Sequence, residues 1–242
     1  MPLDEPVGFK IELTLCDRTI EAEVPIPNAP LRVADLLPVL LTFDNAIVGM
    51  AADQAESEGL KISCREGCGA CCRQVVPISE AEAVYIAELV ASMPPDRQAQ
   101  VRERFHRALA GLGEAFVERI HDTSKYSDLA QRRELGEEYF RLHVACPFLE
   151  NECCTIYEHR PTSCREYLVT SPAENCQKPS AETVKPVLVP IKLSQILYRF
   201  GDGVGKQPTR WIPLVLALEF VGEQKYFPGP ELFKNFVSEI KG

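Results

Sequence analysis

The stretch "SCREGCGACCRQ", residues 63–74, places Cys64, Cys68, Cys71 and Cys72 within a few positions of one another. Buried cysteines of an ordinary core act as small hydrophobes and need no glycine between them. This density therefore asks for disulfides, a metal or a reactive thiol. The C-x2-C step from Cys68 to Cys71 lets two thiolates of one tight turn reach the same metal, and Gly67 and Gly69 give the backbone freedom for amides to point at sulfur. Neighbouring side chains diverge, so one of the adjacent Cys71 and Cys72 is expected to face a second ligand set or a second metal.

Further along lies a second group, Cys146, Cys153, Cys154, Cys164 and Cys176. It falls in a segment, 144–190, that prolines at 147, 161, 172, 179, 186 and 190 keep from forming a long helix. Something other than periodic packing must pin that segment. The chain between the two groups reads as helix. Ser79 and Glu82 form an S-x-x-E capping box opening a helix with Ala81, Tyr85 and Leu89 on one face. After "PPD", one longer helix carries Val101, Phe105, Ala108, Leu112, Phe116 and Ile120 every three or four residues. A further helix at roughly 128–142 shows a weaker stripe of Leu129, Leu135, Tyr139 and Leu142, with Gln131, Arg132 and Arg133 on its solvated face.

Before the first group, "FKIELTL" (9–15) and "TIEAEV" (19–24) alternate at period two around "CDR", which reads as a short hairpin with Cys16 an incidental thiol in its turn. Leu36, Leu40, Phe43, Ile47 and Met50 then mark one helix, with Pro38 in its first turn and Gly59 as its stop. After residue 190, Leu193, Ile196, Leu197 and Phe200 make one helical face and "ELFKNFVSEI" another, while "GDGVG" (201–205) lacks a preceding strand and reads as a helix-stop loop. The expected fold class is mainly α: a helical domain with a small N-terminal β-hairpin and a Cys-rich irregular metal-binding segment. The expected divisions are 1–58 (hairpin plus helix), 59–180 (cysteine-cluster domain) and 181–242 (C-terminal helices completing the core).

A formal net charge of -9 disfavours nucleic acid as a partner. The N-terminus has acidic residues and no apolar h-region, and the longest apolar stretch picked out, "WIPLVLALEFV" (211–221), is shorter than the ~20 residues of a bilayer span. A cytoplasmic protein without membrane contact is expected, its partner an unidentified protein or redox partner. Ten cysteines in 242 residues lie below the ~8–10% of a disulfide scaffold, and in a reducing compartment clustered cysteines hold metal or do redox chemistry. Structural zinc contributes roughly 10–16 kcal/mol apparent binding free energy, enough to order the 144–190 segment.

All-sulfur ligation suits both tetrahedral zinc and an iron-sulfur cluster. The triplet at 64, 68 and 71 has the C-x3-C-x2-C spacing of radical S-adenosylmethionine enzymes, yet it follows a helix in a chain without the alternating strands and helices of their barrel. Arg160 and Arg165 are read either as donors to thiolate or sulfide or as salt-bridge partners of Glu158 and Glu166. Tyr157 and Tyr167 are read as packing residues, and His143 and His159 as groups outside the ligand set.

"CREGCGACCRQVVPISEAEA" followed by "CPFLENECCTIYEHRPTSCREY" and a later Cys176 resembles the YkgJ-type cysteine-cluster family, a zinc- or iron-chelating domain with a CxxxCxxCC signature. The resemblance covers about residues 60–180. It implies Cys64, Cys68, Cys71, Cys72, Cys146, Cys154, Cys164 and Cys176 as the metal set, leaves open which of Cys153 and Cys154 is the ligand, and through the related flagellin lysine N-methylase implies that methyl transfer is within the domain's reach. The expected cofactor is an iron-sulfur cluster ([4Fe-4S]), for electron transfer or radical chemistry, or zinc. The iron reading is favoured over a structural zinc module or a metal-handling protein. No catalytic residue stands out.

Overall fold

The computed structural model describes residues 5–15, 18–126, 128–201, 203–205 and 208–241. The chain is mainly α-helical, and Cys16 lies outside the described residues. Strand β1 (Val7–Leu15) pairs antiparallel with β2 (Arg18–Ile26), the alternation turning Ile11, Leu13, Val24 and Ile26 inward. A two-residue strand β3 (Pro30–Leu31) leads into α1 (Val33–Ser57). Helix α1 ends in a Schellman motif. Gly59 takes φ +82° as its amide bonds to Glu56, and the Leu60 amide reaches back to Ala55.

Two expectations about α1 need correction. Pro38 lies a turn further in than expected. It is also α1, not "WIPLVLALEFV", that has the length and hydropathy of a membrane span, with a mean hydropathy of 1.5 in its most apolar window. Its apolar side is occupied inside the protein: Leu36, Leu37, Leu40 and Ile47 are buried against the hairpin and the C-terminal helices.

Strand β4 (Pro77–Ile78) precedes α2 (Glu80–Ala91), whose capping box forms as the sequence predicts: Ser79 Oγ accepts the Glu82 amide, and Glu82 Oε2 accepts the Ser79 amide at 2.7 Å. The face buried deepest on α2 is Ala83, Ile86 and Val90, displaced from the Ala81, Tyr85 and Leu89 stripe because α2 is packed on two sides. The expected single long helix is two, α3 (Pro95–Leu112) and α4 (Glu114–Ile120), since Gly113 adopts φ +80° and breaks the hydrogen-bond ladder. All six stripe residues remain buried across the break. In α5 (Leu129–Arg141) only Leu135 and Tyr139 are buried, while Leu129 and Leu142 lie exposed beyond the reach of the core.

The 144–190 segment contains a minimal hairpin, β5 (Leu149–Glu150) with β6 (Cys153–Cys154), the four-residue helix α6 (Thr162–Arg165) and short 3₁₀ turns. The chain then forms α7 (Leu193–Leu197), β7 (Ile212–Pro213), β8 (Phe227–Pro228) and α8 (Gly229–Lys241). "WIPLVLALEFV" supplies β7 and a 3₁₀ turn rather than a helix. Pairing of β3 with β8 and of β4 with β7 ties the C-terminal part to the start of α1 and to the exit of the first cysteine group.

Candidate metal centre

The loop from Cys64 to Gln74 is a succession of tight turns, Cys68 N–H to Arg65 O, Cys72 N–H to Gly69 O and Gln74 N–H to Cys71 O. It is joined to the second cysteine group by two backbone–backbone hydrogen bonds and one from a side chain to the backbone. Ser63 N–H donates to Val169 O at 2.9 Å, Cys146 N–H donates to Cys72 O at 2.7 Å, and the Gln74 side-chain amide donates to Cys176 O at 3.2 Å. Two groups separated by four helices in sequence are thereby adjacent in space.

Within this junction the thiols fall into two neighbourhoods. Cys64, Cys68 and Cys71 pack around buried Cys176, Val169 and Val184. Cys146 and Cys154 pack against Phe148, Ile156 and Ile78, with Cys164 in electrostatic reach of Cys154 and Cys146. Cys71 is the link. It lies beside Cys72 and within electrostatic reach of Cys64, Cys146, Cys154, Cys164 and Cys176. The structure places Cys64, Cys68, Cys71 and Cys176 in one cluster and Cys146 and Cys154 in another, with no disulfide among the described thiols. Among the described residues no three His, Cys, Asp or Glu side chains stand as a finished metal-holding array. The sulfur-only donor set matches a thiophilic ion in kind.

Electrostatics at the thiols works in two directions. Burial pushes the Cys64, Cys146, Cys154 and Cys164 thiols up, raises Cys176 to about 11, and adds to the interaction with Cys72 that raises Cys71 most. Each neighbouring sulfur adds to the shift, as crowded groups oppose one another's ionisation. Opposing this is the backbone. Val169 N–H donates to Cys64 Sγ at 3.4 Å, and the backbone at Phe148 and Ile156 acts on Cys146 and Cys154 against the push of burial. Hydrogen bonds to the ionised form favour it. Of the two glycines expected to give this loop its backbone freedom, Gly67 has φ +81°, and Gly69 also serves packing, since a Cβ there would sit 2.7 Å from the Glu152 carbonyl oxygen.

Arg160 is the cation that acts on several of the sulfurs at once. Its charge favours the thiolates of Cys64, Cys71, Cys154 and Cys164, and its guanidinium stacks on Tyr157 with the carbon 3.6 Å from the ring centre while Nε donates to Tyr157 O. Arg165 behaves differently from either sequence reading. Buried, it donates to the Arg160 carbonyl at 2.7 Å, to the Glu158 carbonyl and to Asn45 Oδ1 on α1, so it braces the backbone that presents Arg160. Glu166, expected as its partner, accepts instead from Ser194 N–H and Oγ. His159 and His143 are exposed, His159 within 2.8 Å of the Tyr85 hydroxyl and His143 edge-on to Phe140. Tyr167 packs beside Cys176, and burial pushes its hydroxyl up to about 12.

Sequence reasoning missed a second use of Glu82. Its Oε1 accepts the Thr162 amide and hydroxyl, both at 2.8 Å, so the capping carboxylate of α2 also anchors the helix that presents Cys164. It missed as well the buried Asp44 of α1, whose two carboxylate oxygens have no partner. An acidic residue on the apolar stripe of α1 was the available signal.

The hairpin β5–β6 bears on the choice between Cys153 and Cys154. Asn151 and Glu152 both have positive φ, 49° and 61°, giving a two-residue primed turn that matches strand twist. Successive side chains on β6 then point to opposite sides. Cys154 is half-buried against the core and Cys153 is exposed, with its sulfur 3.7 Å from where a Cβ on Gly67 would lie.

Residues 63–183 match the family model CxxCxxCC, described as "Putative zinc- or iron-chelating domain". Comparison with curated proteins and with solved structures returned no match.

Proposed function

The chain belongs to this cysteine-cluster family of zinc- or iron-chelating domains, and from that premise we propose that it is an iron-sulfur protein. Cys64, Cys68 and Cys176 form one side of the ligand set and Cys146, Cys154 and Cys164 the other, with Cys71 and Cys72 at the junction each supplying a thiolate. The observation that carries this reading is the Val169 amide aimed at Cys64 Sγ at 3.4 Å, together with the Arg160 charge that favours the thiolates of Cys64, Cys71, Cys154 and Cys164. An amide donor and a nearby guanidinium offset the negative charge of a thiolate-held centre and tune its potential. A bound cluster would supply one-electron chemistry. The protein's part is to present reduced thiols, release their protons on binding and limit water at the half-buried sulfurs.

A second reading has its own support. The grouping of Cys64, Cys68, Cys71 and Cys176 apart from Cys146 and Cys154 suits a four-sulfur zinc site with no open position. One experiment separates them: metal and acid-labile sulfide content, with the absorption spectrum, of protein purified without oxygen. Iron with matching sulfide and a broad visible band is expected. Stoichiometric zinc without sulfide in a colourless protein would overturn the cluster and leave the zinc reading. Neither metal would overturn both.

A further inference from the structure

We propose that the cavity between α5 and the chain leaving the first cysteine group is a binding site for a small organic anion, a carboxylate on an apolar body. This goes beyond the function proposed above and does not depend on which metal the cysteines hold. The cavity measures about 590 Å³, within the ~300–1,000 Å³ range of small-molecule sites. One wall is Gln74 and Val75, just past Cys72, and the Gln74 side chain also donates to Cys176 O at 3.2 Å. A molecule bound there would touch a residue that ties the two cysteine groups together.

Helix α5 makes another wall, and two of its residues have no explanation in the packing of the core. Gly136, in the middle of the helix, has no positive φ, and a Cβ added there would meet a Val75 methyl at an ordinary 4.0 Å. Neither backbone geometry nor close approach asks for glycine, which weakens a helix interior relative to alanine. What it does is keep the cavity open. Phe140, one turn on, is half-buried at the cavity and joins none of the apolar clusters of the core; its ring meets His143. With Val75 it offers the ligand an apolar surface. Charge then sets the ligand's class. Of the ionised side chains lining the cavity, Arg133 and Glu137 pair with each other at 2.9 Å, and Arg141 has no ion-pair or hydrogen-bond partner among the described residues. An unpaired guanidinium beside an apolar surface selects a carboxylate, which its forked donors hold through two parallel hydrogen bonds.

The test is a fluorine NMR titration of para-fluorobenzoate with the purified full chain, the neutral para-fluorobenzamide serving as a control of the same shape. Saturable binding of the acid is expected, tighter than that of the amide by roughly tenfold, the scale of a hydrogen-bonded contact to a charged group. Arg141→Gln should remove that difference and leave amide binding unchanged. Gly136→Leu should abolish binding of both by filling the cavity. Gly136→Ala should raise the thermal midpoint, alanine being the better helix residue, while weakening the binding of both several-fold, a combination that a purely structural glycine would not give. No saturable binding to the unmutated chain, equal affinity for acid and amide, or undiminished binding in the Gly136 variants would overturn the site. Metal content read on the same samples keeps these outcomes separate from the metal-centre reading, which none of them touches.

Discussion

Around α1, the hairpin, α7 and α8 meet in an apolar cluster in which Leu37, Leu40, Ile47, Phe200, Phe233 and Phe236 are almost wholly buried. Around Cys64, Cys68, Cys71 and Cys176, the corresponding cluster is Ala70, Val169, Cys176 itself and Val184, edged by half-buried sulfurs. The first region can be held by area removed from water. The second buries too little apolar surface and has only minimal secondary structure, so its order must come from hydrogen-bonded turns, from anchors such as Glu82–Thr162, and from what the sulfurs bind. Two regions of one chain thus rely on different forces, and removing either force should affect one region more than the other.

Metal removal is the largest such test. Structural metal in a Cys-rich site contributes on the order of 10–16 kcal/mol apparent, so chelation under reducing conditions should strip amide protection from residues 63–76 and 144–186. Residues 33–57 and 229–241 should keep theirs in hydrogen exchange. Equal loss in both regions would break the comparison. The converse is Phe236→Ala. Phe236 is fully buried and meets the Phe200 ring edge-on at 5.1 Å; its truncation should cost about 3–5 kcal/mol, read as a lower denaturant midpoint. Metal content without denaturant should not change.

The two regions also differed in how readable they were. Periodicity located the packed one: the stripes of α1, α3, α7 and α8 follow directly from apolar spacing. It failed where tertiary contacts overrode spacing, at Gly113, whose backbone breaks a continuous stripe, and at Leu129 and Leu142, which no core reaches. In the cysteine region the sulfurs identified themselves and their partners did not. That Arg165 would serve backbone carbonyls and Arg160 the sulfurs depends on three-dimensional placement, because both are arginines flanking one cysteine. Cys153 and Cys154 became distinguishable only once the two-residue turn fixed which side of β6 each occupies.

Asp44 sits where the regions meet. It belongs to α1, yet the charged groups acting on it are Glu166, Arg165, Glu82 and Arg160 of the cysteine side and α2. Burial, reinforced by Glu166 and Glu82 against the two arginines, pushes its carboxyl up to about 8. A raised acid keeps its proton in the folded chain while the unfolded chain releases it above about 4. Stability is therefore lost as pH rises from about 4 to 8 and is level on either side. Asp44→Asn should raise stability by about 1–3 kcal/mol at pH 7, with the gain shrinking towards zero at pH 4. A gain independent of pH would show that this carboxyl is not held protonated across the junction.

The smallest effect lies in the turn before Cys153. A left-handed conformation at a residue with a Cβ costs about 1–2 kcal/mol, and Glu152 has φ 61°. Against that stands its ion pair with Arg73, more than half exposed on the Glu152 side and worth about 0–1 kcal/mol. Glu152→Gly removes both at once, and glycine's extra freedom in the unfolded chain offsets part of the relief, so the net change in low salt should be within about 0.5 kcal/mol. High salt screens the ion pair but not the strain. Relative to the unmutated chain, Glu152→Gly should become stabilising there, while Glu152→Gln, which keeps the strain and loses the pair, should be slightly destabilised in low salt and neutral in high salt. Metal stoichiometry should be constant in both variants. If Glu152→Gln instead loses metal, a surface ion pair rather than sulfur is what holds the hairpin to the first cysteine loop, and the division of forces between the two regions fails at the turn that carries the exposed thiol.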